Sequence, residues 1–177
     1  MIFLDIRYPD IYDPGMKLSE GVEWATHCCT VLGALPPDIV LPAHRLAEFH
    51  DVPPDYLGKQ LQSLRRADIV ESTPGRRGGY RLARPAEEIT LLHIVGAIEG
   101  DEPAFRCTEI RQRGPSAVGR EHYVHPCGIA QAMWRAEEAW RAELDRVTIA
   151  DLVAELDHTV SPEQTTNAIN WLTGVLA

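Results

Sequence analysis

Apolar residues recur at helical spacing through the first third of the chain, break at prolines, alternate briefly, and return to helical spacing towards the end. Behind Ser19, a natural N-cap, Val22, Ala25, Cys29 and Leu32 share one face of a helix predicted to about Leu35, where Pro36-Pro37 stops it. A short helix follows from Pro42 to about His50, with Ala43, Leu46, Ala47 and Phe49 apolar. Asp51-Val52-Pro53 makes a break, and Pro54 opens a second helix to about Ala67 carrying Leu57, Leu61 and Leu64. Two short helices around a tight break predict a helix-turn-helix, whose second helix enters the major groove. Residues 69–73 and 80–83 then read as strands, joined by the glycine-rich tip Pro74-Gly75-Arg76-Arg77-Gly78-Gly79. This is the pattern of a wing.

Thr90 caps a further helix ending near Gly100, with Ile89 and Ile94 placed as a hydrophobic staple. Residues 101–126 lack periodicity. A long helix is expected from Cys127 to about Val147, with an apolar seam of Ile129, Met133, Trp140, Leu144 and Val147 suited to a second copy of the chain. Thr148-Ile149-Ala150-Asp151 resembles a capping box, and Ser161-Pro162-Glu163-Gln164 a better one, opening a last helix with Ile169 and Trp171. The fold class is therefore mainly α with a small β-wing: a winged helix-turn-helix plus a long dimerisation helix.

Charge at first opposes nucleic acid as a partner, because the 177 residues carry a net charge of -9. From Pro54 to Arg84, however, seven basic residues face three acidic ones, about +4, which leaves the rest of the chain at about -13. A basic face on an acidic molecule predicts one surface turned to a polyanion, here double-stranded DNA. Pro54, Asp55, Tyr56, Lys59 and Arg65 on the second helix, with Arg76 and Arg77 at the wing tip, are the candidate DNA-binding residues. A phosphate-binding loop is excluded at the wing, since no helix follows directly and no Gly-Lys-Ser/Thr ending is present.

No run of 18 apolar residues exists, so no membrane partner is expected. Asp5, Arg7 and Asp10 interrupt the apolar start, which excludes a secretory segment and predicts a cytoplasmic protein. Residues 1–15 end in Asp13-Pro14-Gly15 and read as an N-terminal extension, and Met16 could itself start translation. Four cysteines in such a chain point to thiol or metal chemistry rather than structural disulfides. Cys28 and Cys29 fit the core of the first helix. Cys107 and Cys127 are left as a candidate regulatory disulfide, or a zinc site with His122 and His125. The lack of a dinucleotide fingerprint, nucleophile elbow or HExxH helix argues against an enzyme, with an iron–sulfur oxidoreductase the weak alternative.

Met16-Lys17-Leu18-Ser19, Tyr56-Leu57, Gly75 with Gly78-Gly79-Tyr80, and Glu88-Ile89-Thr90 resemble the IscR/NsrR family of winged-helix iron–sulfur transcription regulators. The resemblance covers about residues 16–155. It implies a homodimer held by the long helix, a palindromic operator, and a cluster in the preceding loop. Cluster-holding members commonly show three closely spaced cysteines there, where this chain has only Cys107 and Cys127. It is most similar to a redox-sensing type in which a glutamate and a histidine of the second subunit complete a 2Fe–2S cluster. Carried over, the ligands are Glu23, His27, Cys107 and Cys127, with Trp24 a candidate redox switch. The chain then divides into 16–100 (DNA-binding domain), 101–126 (cofactor-binding loop), 127–156 (dimerisation and return helices) and 157–177 (C-terminal helical tail). A redox-responsive repressor is the expected function.

Overall fold

The computed structural model describes residues 18–75 and 78–176. The extension, the Met16-Lys17 pair and the wing arginines Arg76 and Arg77 lie outside the described residues. Helix α1 (Glu20–Gly33) runs through the centre of the domain and is followed by α2 (Ala43–His50) and α3 (Pro54–Arg66). Strands β1 (Val70–Thr73) and β2 (Gly79–Leu82) pair antiparallel in the register Val70 with Leu82 and Thr73 with Gly79. Helix α4 (Leu91–Glu99), a long loop, α5 (Gly128–Arg146), α6 (Ile149–Thr159) and α7 (Pro162–Leu176) complete the chain. The mainly helical fold with its small wing is as expected, each strand lying within one residue of its expected bounds.

Fully buried Ala25, Cys28 and Cys29 of α1 pack with Leu57, Leu61 and Leu64 of α3, and with Ile89, Ile94 and Ile149. Each buried leucine or isoleucine contributes about 1.5–3 kcal/mol through apolar area removed from water. The wing is stitched to this body: Leu41 N–H donates to the Tyr80 carbonyl (3.0 Å) and Tyr80 N–H to the Leu41 carbonyl (2.8 Å). Gly79 permits that approach, because a Cβ there would lie 2.4 Å from the Leu41 carbonyl carbon.

Some caps differ from expectation. Ser19 sits at the N-cap of α1, but its hydroxyl donates to Glu99 Oε1 (2.6 Å) and caps no helical N–H. It tethers α1 to the end of α4 instead. Reciprocal capping boxes form at Thr90, with His93, and at Thr148, whose hydroxyl accepts from Asp151 N–H (3.1 Å) while Thr148 N–H donates back to Asp151 Oδ2 (2.9 Å). Ser161, expected to be the better box, accepts from Gln164 N–H at 3.2 Å. Helix α7 folds back onto the helix-turn-helix. Trp171 lies 5.1 Å from the Phe49 ring of α2, and Leu172 and Val175 pack against the core. Among the described residues no helix is long and apolar enough to cross a membrane.

Candidate DNA-reading face and cysteine loop

Helix α2 ends at Asp51, which takes the left-handed conformation (φ 51°, ψ 45°) and lets Val52 N–H return to the Ala47 carbonyl at 3.0 Å. Pro53 is the N-cap of α3 and Pro54 its first residue, where a missing N–H costs nothing. Leu57, Leu61 and Leu64 point inward, so Pro54, Asp55, Tyr56, Lys59, Arg65 and Arg66 are left exposed on the opposite side. Lys59 Nζ stands 5.0 Å over the Tyr56 ring. Two other arginines of the basic stretch serve the fold: Arg81 reaches Glu71 (2.6 Å) and the Pro37 carbonyl (3.1 Å), and Arg84 reaches the Asp68 carbonyl (3.1 Å).

Glu23 and His27 are exposed on α1, while Trp24 is half-buried and meets Tyr56 edge-on at 6.5 Å. The switch candidate thus touches the helix expected to read DNA, a contact that no local pattern foretells. Also unforeseen is His50. Its ring lies 5.5 Å from that of His27, and its Nε2 is buried without a hydrogen-bond partner among the described residues. Burial, then the neighbouring His27, lowers its pKa to about 4. Cys28 and Cys29 are buried thiols, as expected. Burial pushes Cys28 up to about 12 and Cys29 higher still.

The loop between α4 and α5 brings Cys107 and Cys127 to the wall of one recess of about 410 Å³, shared with Glu109, Tyr123, His125 and Trp134. Cys107 is exposed and Cys127 half-buried. Glu23 and His27 do not line that recess, and among the described residues no three His, Cys, Asp or Glu side chains of one chain gather as a metal site. His122 Nε2 stands 3.6 Å from Glu121 Oε1, and His122 does not line the recess of the two thiols. The α5 seam divides in two. Trp140, Leu144 and Val147 are half-buried against their own chain, whereas Ile129 and Met133 are open to solvent at 70% and 44%, as is Trp134, outside the expected seam, at 43%.

A helix-turn-helix with an exposed polar recognition face and a two-stranded wing defines a winged-helix DNA-binding protein. A profile of the Rrf2 family, described as "Iron-dependent Transcriptional regulator", matches residues 18–155, and the chain belongs to that family. A Bacillus subtilis protein bearing the name HTH-type transcriptional regulator YwgB is 35% identical over 125 residues, 71% of this chain and 76% of that one. Rv1287 of Mycobacterium tuberculosis, with the same designation, is 31% identical over 138 residues, 77% of this chain and 81% of its own. In fold, the chain is similar to CymR, the global cysteine regulator of B. subtilis (TM-score 0.63, 21% identity, 78% of this chain and 97% of that one). It is also similar to IscR of T. potens (TM-score 0.62, 20% identity, 83% and 93%). The chain is thus a DNA-binding transcriptional regulator rather than an enzyme.

Proposed function

We propose that this regulator is a redox-responsive repressor that binds a palindromic operator as a homodimer in the cytoplasm. The observation that carries the reading is the contact of Trp24, set between Glu23 and His27, with Tyr56 of the recognition helix. A change at the Glu23–His27 face has a direct route to the groove-reading surface. Lys59 and Arg65, with Arg76 and Arg77 of the wing, supply the cations that meet phosphate and base edges. The exposed Ile129, Met133 and Trp134 supply the apolar face for a second subunit.

The sensor in this proposal is the 101–126 loop with its flanking cysteine. A 2Fe–2S cluster takes four protein ligands, and the two thiols on one recess fit one of its irons. Glu23 and His27, one turn apart and exposed, fit the second iron only if a partner's first helix approaches the loop. The arrangement is then similar to that of the redox sensor RsrR. When bound, the cluster supplies a one-electron change of charge. This chain's residues hold it, and they favour one arrangement of α1 against α3 over another.

A second reading rests on the same recess: a reversible Cys107–Cys127 disulfide, supported by the two thiols lining one recess of a single chain. Anaerobic purification followed by absorption spectroscopy and iron and sulfide analysis separates the two. The cluster reading requires iron and sulfide in equal amounts, lost in Cys107→Ala and Cys127→Ala. Protein without iron, whose operator binding changes with thiol oxidation, establishes the disulfide reading.

A further inference from the structure

The loop from Asp101 to Cys127 contains no α-helix or strand, only two single 3-10 turns, at Ile110–Gln112 and Arg120–His122. A flexible chain of twenty residues has ends roughly 25 Å apart. Something must therefore hold Cys107 and Cys127 on one recess, and one side chain bonds to a neighbour of each. Arg111 Nε donates to Glu109 Oε1 (2.5 Å), and Nη2 donates to Glu109 Oε2 (2.8 Å) and to the His125 carbonyl (3.0 Å). Its guanidinium carbon lies 5.3 Å over the Tyr123 ring. The Tyr123 hydroxyl closes the other side, donating to the Arg111 carbonyl (2.7 Å) and accepting from Val118 N–H (3.0 Å).

Glu109 is two residues after Cys107, with its N–H turned to the Cys107 sulfur at 3.4 Å, and His125 is two residues before Cys127. The guanidinium therefore ties together the two backbone segments that carry the thiols. We infer that Arg111, fixed by Glu109 and Tyr123, is the positioning residue that sets Cys107 and Cys127 at a distance one bound group or one bond can span. The inference rests on the pair being the sensor, and it assigns the reason this loop works with two cysteines far apart in sequence. Lysine cannot replace the clamp, because a point ammonium lacks the planar fork that grips a carboxylate and a carbonyl together.

The test uses full-length reduced protein free of metal, and dibromobimane, which becomes fluorescent when it bridges two thiols. Monobromobimane reports the single-hit reactivity of each thiol, and peptide mass mapping locates the products. Wild type should give a 107–127 bridge. In Arg111→Gln and Arg111→Lys bridging should fall about tenfold, as a positioned pair becomes a flexible one, while single-hit rates change less than twofold. The clamp lies outside the core, so circular dichroism should be unchanged. Tyr123→Phe, which keeps the ring and loses both hydroxyl bonds, should fall in between. Wild-type bridging retained in Arg111→Lys overturns the clamp alone. Failure of wild type to bridge overturns the cysteine pairing itself, and the clamp with it.

Discussion

Replacing Gly79 by alanine tests the joint between the wing and the body of the domain. The new Cβ would stand 2.4 Å from the Leu41 carbonyl carbon, 2.5 Å from its oxygen and 2.7 Å from the Pro42 nitrogen. Ordinary contact begins at 3.4 Å, so β2 must retreat by about 1 Å, against backbone that cannot rotate away. That retreat breaks both hydrogen bonds joining Leu41 to Tyr80 and begins to uncover Leu41, now fully buried. At about 1 kcal/mol for each bond, plus a share of the apolar burial, the cost is about 2–3 kcal/mol. With a urea slope of about 2 kcal/mol/M the unfolding midpoint should fall by about 1–1.5 M. Gly58→Ala is the internal control. It lies inside α3 with nothing within 4 Å of the added methyl, so the same chemical change should stabilise by about 0.5–1 kcal/mol. Followed by circular dichroism in urea, the two variants should move in opposite directions. An unchanged midpoint in Gly79→Ala would refute the wing-to-body joint.

Three further outcomes are expected. Iodoacetamide at pH 8 should label Cys107 and Cys127 in folded, reduced, metal-free protein and reach Cys28 and Cys29 only after unfolding, since burial keeps those thiols protonated; mass mapping reads this, and labelling of Cys28 or Cys29 in the folded protein contradicts it. Hydrogen bonds from the Thr148 hydroxyl, then its N–H, lower the Asp151 pKa in the folded state. The stability this confers is complete above the unfolded value of about 3.9 and fades as pH falls through the folded one, so Asp151→Asn should destabilise at pH 7 and flatten the acid limb of a melting-temperature profile. Met133→Glu with Trp134→Glu should shift sedimentation from dimer towards monomer at micromolar protein by placing charge in an apolar contact; an unchanged sedimentation coefficient would remove this face from the interface.

Local signals were enough for the helices and the wing. Pro42, Pro53 and Pro54 fix helix starts, the three leucines of α3 fix its inner face, and Gly78-Gly79 marks the strand that must approach Leu41. What stayed hidden depends on contacts between distant residues. Ser19 reads as a cap from its neighbours, yet a carboxylate eighty residues away captures its hydroxyl. His50 follows an amphipathic pattern that says nothing of the ring it will face. Period alone also cannot tell an apolar residue packed on its own domain, such as Leu144, from one left open, such as Ile129. The cysteine loop itself was legible from Cys107 and Cys127, but its internal order was not: Arg111, one of four arginines there, and Tyr123 bond across it with no repeat to betray them.

The packing of α7 on α2 has a consequence for how the protein is made and handled. Trp171 reaches back to Phe49, and its indole joins Arg45 in lowering the pKa of Glu48, so residues near the end of the chain cover a helix of the DNA-reading unit. During synthesis α2 and α3 leave the ribosome long before their cover does, and a transcript truncated after α6 would yield a protein with Phe49 unshielded. For the same reason a charge introduced at Trp171 would stand against a helix of the helix-turn-helix and register as altered operator affinity.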